Sequence, residues 1–321
     1  MRYILHIGLN KTGTSTLQHY LGTYREELLK QGIWYPSIGQ HRYAHHDFAL
    51  AIKKNEFAEH GVDPDILQKA PPGVDTIVLS SEAFHTVQSV ETVARWIPLD
   101  QATVVLYLRE HVSYLASWYQ QSVQQRTITC SFPEFAEMYG KTFADLIDRW
   151  RTFCGDRVKL RPYDRALLVD QDIVSDFFQT AFAVPPPVRR NFKDKNPSIS
   201  GNLLFLKLFL NHVLSPEENV SVVEEFSTLA HVDERFGGKM PVSAKEAKRI
   251  TRAFADDRKR LKREFGIAFD AQRDGQVGYP VPDLATLQND MRRILSASRE
   301  RGFSLYEILK EKRELLFPQD I

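Results

Sequence analysis

Cysteine is nearly absent: Cys130 and Cys154 are the only two in 321 residues. Two thiols cannot build a disulfide framework, and neither has a cysteine or histidine near it at zinc-finger spacing. This usage predicts a reducing compartment. Long apolar runs are missing as well. None approaches the ~20 residues needed to cross a bilayer. The first apolar stretch is short and runs into Asn10 and Lys11, unlike a signal peptide. No transmembrane segment and a cytoplasmic location are therefore expected. An excess of one charge is missing too. Lys+Arg 42 against Asp+Glu 41 leaves no basic surplus, which argues against nucleic acid as a partner but leaves room for a locally basic pocket that takes a small anion. There is no internal repeat and no low-complexity tract.

What is present is an ordinary globular composition, 43% hydrophobic and 26% charged. The length suffices for one large α/β domain or two small ones with ample core. Strand-like runs fall at 3–7, 76–79, 103–108 and 158–160, with a short strand or loop at 32–36. Helical patterns lie between them at 14–30, 91–96, 112–125, 143–153 and 173–181. Strands alternating with helices predict a parallel sheet covered on both faces. After Pro185-Pro186-Pro187 the pattern changes to helices alone, at 203–214, 243–265, 284–295 and 305–316. With no Gly/Ser linker between them, residues 1–200 read as an α/β core and 201–321 as a helical extension of one domain.

The densest information is at 3–17, Tyr-Ile-Leu-His-Ile-Gly-Leu-Asn-Lys-Thr-Gly-Thr-Ser-Thr-Leu. An apolar run stops at Gly8, a loop with Lys11 and Gly13 follows, and Thr14, Ser15 and Thr16 open a helix. Strand, glycine-bounded loop and helix N-terminus form a phosphate cradle, because the helix start presents unpaired N–H groups and a positive dipole end. The usual P-loop carries its lysine immediately after the second glycine, aimed at the β- and γ-phosphates. Here that position is Thr14, and the only lysine, Lys11, lies inside the loop. Such a loop suits a 5′-phosphate and lacks the lysine that reaches out along a triphosphate.

A second segment points the same way. The run 103–108 is β-branched and of strand length, Arg109 ends it, and Ser117 follows eight residues later, about two turns into the next helix. An arginine at a strand tip and a serine on the next helix can converge on one phosphate through charge-assisted bonds. A third is the strand 76–79, which runs into Ser80-Ser81-Glu82-Ala83-Phe84-His85. In a parallel sheet ligand chemistry gathers at the carboxyl ends of strands, which places Glu82 beside the loop if the two strands are neighbours. Glu82 is then the first candidate for a general base and His85 the second. Acidic residues near a helix start are also common as structural groups. His41, His45, His46 and Asp47 cluster locally, but no HExxH context supports a metal there, and a surface loop, on the acceptor side or plain, is the expectation. Tyr163, after Pro162, either contacts the ligand or packs. Trp118 and Tyr119 read as core.

Together these segments resemble the sulfotransferases that use 3′-phosphoadenosine-5′-phosphosulfate (PAPS), in their bacterial form. That family's 5′-phosphosulfate loop looks like K-[ST]-G-T-[ST] after the first strand, and here Lys11, Thr12, Gly13, Thr14 and Ser15 match it, with Thr16 following. Its 3′-phosphate site is an arginine with a serine eight residues on, matched by Arg109 and Ser117. The match is strongest over 1–20 and 100–125 and weaker through 142–200. The resemblance implies a P-loop-type α/β fold and transfer of a sulfuryl group from PAPS to an acceptor hydroxyl on a carbohydrate or glycolipid. It implies that Lys11 stabilises the leaving 5′-phosphate with no metal required, and that a glutamate or histidine after the second main strand is the base. In relatives a basic loop closes over the nucleotide, which here would bring in Lys193 and Lys195. The rivals are a P-loop kinase acting on a small molecule, for which no apolar-run-Asp signal is present, and a nucleotide-binding protein without catalysis.

Overall fold

The computed structural model describes residues 1–125, 128–189, 198–269 and 282–312. The strands are β1 (Arg2–His6), β2 (Ile33–Trp34), β3 (Thr76–Ser80), β4 (Ala102–Leu108) and β5 (Val158–Pro162). They form one sheet in the order β2-β3-β1-β4-β5, and every pairing is parallel. This is the α/β class expected from the alternating pattern, with helices flanking the sheet. Ile4, Val78, Val105 and Tyr107 pack in one cluster with Leu17, Tyr20, Leu21, Val174, Phe177 and Phe178 from two helices. The intervening residues Leu5, Leu79, Val104 and Leu106 are fully buried as well. Both faces of the central strands are therefore covered, as the uninterrupted apolar runs require. Each such side chain contributes about 1.5–3 kcal/mol of burial.

The chain divides into two compact units. The first holds Met1–Glu110, Lys141–Lys193 and Phe254–Asp270, and so contains the whole sheet. Its helices include Thr14–Thr23, His46–Lys54, Phe143–Cys154, Ile173–Phe182 and Ala255–Phe265. A buried carboxylate, Asp176, ties the sheet edge together. It accepts from Tyr107 Oη at 2.8 Å, Arg161 Nε at 3.0 Å and the Val169 amide at 3.0 Å, so its charge is fully solvated by the protein. The second unit, His111–Gly140, Asp194–Ala253 and Ala271–Ile321, is helical in its described residues. Its helices include His111–Gln125, Phe132–Tyr139, Gly201–Leu210, Pro216–Val232 and Leu287–Glu300. Tyr119 is buried there against Phe135, as a core residue should be, whereas Trp118, which also meets Phe135, is only half-buried. Among the described residues no helix is long and apolar enough to cross a membrane.

Some element boundaries differ from the sequence pattern. The helix expected over 14–30 breaks at Tyr24, giving Thr14–Thr23 and Arg25–Leu29. The one expected over 243–265 breaks at Phe254. His46–Lys54 is a helix where a surface loop was expected, and His45 before it is fully buried. The Ser80 amide donates to His45 Nδ1 at 3.1 Å, which leaves Nε2–H to donate to the Pro36 carbonyl at 2.8 Å. This neutral ring is a core strut, and burial holds its pKa down at about 4.

Candidate functional site

Strand order fixes where a ligand goes. From β1 the chain crosses to β2 and β3 on one side, while β4 leads to β5 on the other. The crevice at the carboxyl ends of β1 and β4 is thus the topological switch point, the usual ligand position in an open parallel sheet. The loop after β1 carries Lys11 into this crevice and the end of β4 carries Arg109.

The loop is shaped by two glycines for different reasons. Gly13 has φ +75°, a left-handed conformation, and caps the helix Thr14–Thr23. A Cβ there would also sit 2.9 Å from the Tyr163 ring. At Gly8 a Cβ would lie 2.6 Å from Thr14 Cγ2 and 2.7 Å from His6 Nε2, so close approach is what excludes a side chain. Thr12 is buried and its hydroxyl donates to the Leu9 carbonyl at 2.7 Å, which holds the bend. Lys11 itself has φ 67°, and Arg109 Nη1 donates to its carbonyl at 3.0 Å, bracing that strained residue. Among the described residues, the amides of Gly13, Thr14 and Ser15 have no protein acceptor, as expected of a helix start.

The electrostatics are those of an anion site. Among the described residues Lys11 Nζ has no carboxylate partner. Burial, together with the Arg109 guanidinium, lowers its pKa to about 8. Two crowded cations beside unpaired amides at a helix N-terminus favour a bound anion. Among the described residues no group of His, Cys, Asp and Glu has the makings of a metal site.

Glu82 follows β3, the neighbour of β1, and meets the loop helix as the sequence anticipated. Thr14 Oγ1 donates to its Oε1, and Gln18 Nε2 donates to Oε2 at 3.0 Å. Burial pushes its carboxyl pKa up, but these two hydrogen bonds and the nearby His46 outweigh that and hold it below the ordinary value. His85 is buried, and its Nδ1 lies 3.1 Å from the Gly8 carbonyl, so the Nδ1–H tautomer donates to the loop. Burial, with Lys141 adding to it, lowers its pKa to about 4. Its Nε2 is buried without a partner.

Of the sequence candidates, the first unit therefore gathers Lys11, Thr12, Gly13, Thr14, Ser15, Thr16, Glu82, His85, Arg109 and Tyr163. Tyr163 packs against the core and backs Gly13. Ser117 stands on the helix His111–Gln125, in the second unit. Lys193 and Lys195 lie outside the described residues. Sequence reasoning gave no role to Gln18 or His46. Gln18 was within reach, since it lies one helical turn after Thr14 and shares its face.

The conformation of Gly13 makes a direct prediction. Gly13→Ala meets both a disfavoured φ, costing about 1–2 kcal/mol, and the Tyr163 ring. A lower thermal midpoint is expected, by scanning calorimetry; an unchanged midpoint would mean that neither the backbone conformation nor the ring opposes a side chain at this position.

No family model matches the chain. A protein of Archaeoglobus fulgidus described only as uncharacterized is 26% identical over 256 residues, 76% of this chain and 69% of its own length. Among solved structures, a sulfotransferase from Alicyclobacillus acidocaldarius is similar with a TM-score of 0.45 at 16% identity, covering 85% of this chain and 99% of that one.

Proposed function

We propose that this protein is a sulfotransferase that moves a sulfuryl group from PAPS to an acceptor hydroxyl, on a carbohydrate or glycolipid. The observation that carries the reading is the pairing of Lys11 and Arg109 at the β1/β4 switch point, beside unpaired helix-start amides. In this reading Lys11, Thr12, Gly13, Thr14, Ser15 and Thr16 hold the 5′-phosphosulfate. Arg109 takes the 3′-phosphate, and Ser117 is carried over from the sequence spacing alone as a further candidate. The resemblance adds Lys195, which lies outside the described residues, as a further candidate for the nucleotide, and Tyr163 supports the cradle from behind.

The chemistry asks little of the protein beyond positioning and charge. The acceptor oxygen attacks sulfur in line with the bond that breaks. The electron pair of that bond stays on the 5′-phosphate oxygen, where Lys11 and the loop amides stabilise it. The acceptor proton goes to a base on the β3 side, where Glu82 and His85 lie. Lysine and amides suffice for the leaving group, so no metal is assigned. The cytoplasm is the compartment proposed, since Cys130 and Cys154 are both free thiols.

Calorimetric titration tests the reading. Adenosine 3′,5′-bisphosphate is expected to bind without metal and more tightly than ATP with Mg²⁺. Preference for ATP would favour a kinase, and binding without sulfate transfer to any hydroxyl would favour a silent nucleotide-binding protein. The pH dependence adds a second check. Lys11 in the free protein is cationic below about 8 and neutral above. Bisphosphate affinity should therefore fall as pH rises through that value, by up to about tenfold per unit, with one proton taken up per ligand. Constant affinity from neutral pH to well above 8 would remove Lys11 from the anion site.

A further inference from the structure

Three groups on the β3 side of the cradle can accept a proton, and their surroundings differ. Glu82 has both carboxylate oxygens engaged, one by Thr14 and one by Gln18. His85 is sealed behind the loop, with Nδ1 committed to the Gly8 carbonyl. His46 is the third. It opens the helix His46–Lys54, its Nδ1 lies 2.8 Å from Ser81 Oγ, and its Nε2 lies 3.5 Å from Glu82 Oε2. The His46 side chain is 33% exposed against 13% for Glu82. His46 is therefore the more accessible of the two to a hydroxyl arriving from solvent, while each Glu82 oxygen already accepts a hydrogen bond from the loop helix.

We infer that His46 is the residue that takes the proton from the acceptor hydroxyl, with Glu82 positioning it. The inference rests on the sulfotransferase reading above. Ser81 fixes the ring from one side: its Oγ also accepts the Ala83 amide at 3.0 Å, so it is itself held in place. In the tautomer that carries its proton on Nδ1, toward Ser81 Oγ, the Nε2 lone pair is available to a substrate hydroxyl. As the acceptor O–S bond forms and the S–O bond to the 5′-phosphate breaks, the acceptor proton passes to Nε2. The imidazolium so formed stands beside the Glu82 carboxylate, which stabilises it. Glu82 is in turn bonded to Thr14 on the cradle helix, so one carboxylate sets the distance between proton acceptor and leaving-group site. That arrangement is a base oriented by a third group, as in other activated nucleophile sites.

The decisive experiment uses acceptors that differ in their need for a base. Labelled PAPS is supplied with methyl α-glucoside, whose hydroxyls are un-ionised, or with 4-nitrophenol at a pH where it is already a phenolate. His46→Asn keeps a partner for Ser81 and removes the Nε2 position; His46→Gln is the second variant. Both are expected to lower transfer to the glucoside by about 10²–10⁴-fold. Transfer to the phenolate should stay within a few-fold of wild type, and bisphosphate affinity should be unchanged. Equal losses with both acceptors, or no loss with either, would overturn the role of His46 while leaving the enzyme a sulfotransferase. Wild-type protein that binds the bisphosphate and transfers to neither acceptor would sink the sulfotransferase reading, and this inference with it.

Discussion

Under the proposed sulfotransferase function, Lys11→Ala is expected to cut sulfuryl transfer by about 10²–10³-fold, the cost of removing one preorganised charge at a developing oxyanion. The same substitution should stabilise the fold. Lys11 is a largely buried cation, crowded by Arg109, and its pKa is lowered to about 8 from 10.5. Keeping it charged near neutrality therefore costs the folded state about 3 kcal/mol. The sign follows from proton counts. Between about 8 and 10.5 the folded protein binds fewer protons than the unfolded chain, so wild-type stability rises with pH across that window and the cost is full below it. Lys11→Met, which keeps the stem and removes the charge, should melt higher than wild type at neutral pH, with the difference fading as pH rises. Bisphosphate should reverse the order, because it stabilises only the protein that binds it. A variant that is more stable and inactive identifies a charge retained for function. If Lys11→Met melts lower than wild type at neutral pH, the lysine is structural instead.

The cradle was legible because it is local. Gly8, Lys11, Gly13 and the hydroxyls of Thr14, Ser15 and Thr16 lie in one short stretch, and strand–loop–helix geometry follows from that order. Glu82 was legible for a different reason: parallel topology sends every strand's carboxyl end to one side, so residues following β1 and β3 meet once the two strands are neighbours, as they are. His46 was not legible, because its meaning comes from Ser81 and Glu82, 35 and 36 residues away in the sequence, and a histidine at the start of a short amphipathic helix carries no local mark of that contact. His45 misled for the opposite reason. Its polarity suggested exposure, whereas both ring nitrogens are paired to backbone groups inside the core. Two helices were missed although their signals were present. Ser131 with Glu134 and Ser215 with Glu218 are capping boxes, each with a proline in the first helical positions, and they open Phe132–Tyr139 and Pro216–Val232.

Under the same proposed function, Arg109→Ala is expected to weaken adenosine 3′,5′-bisphosphate binding by about 10–100-fold, the worth of a charge-assisted bond. Loss of affinity alone would not assign the 3′-phosphate, because Arg109 also donates to the Lys11 carbonyl and braces the loop. The control is adenosine 5′-monophosphate, which lacks the 3′ group. Its affinity should fall only by the share due to the brace, and the difference between the two ligands isolates the contact with the 3′-phosphate. A second consequence is electrostatic. Removing the guanidinium takes away the repulsion that helps lower the Lys11 pKa. The pH above which ligand affinity declines should therefore move upward in the variant. Arg109→Lys should keep the pH behaviour close to wild type, since the charge remains, yet recover little affinity, because an ammonium lacks the planar fork that can bond a carbonyl and a phosphate at once. Equal losses for both nucleotides would leave Arg109 as a support for the loop and remove it from nucleotide recognition.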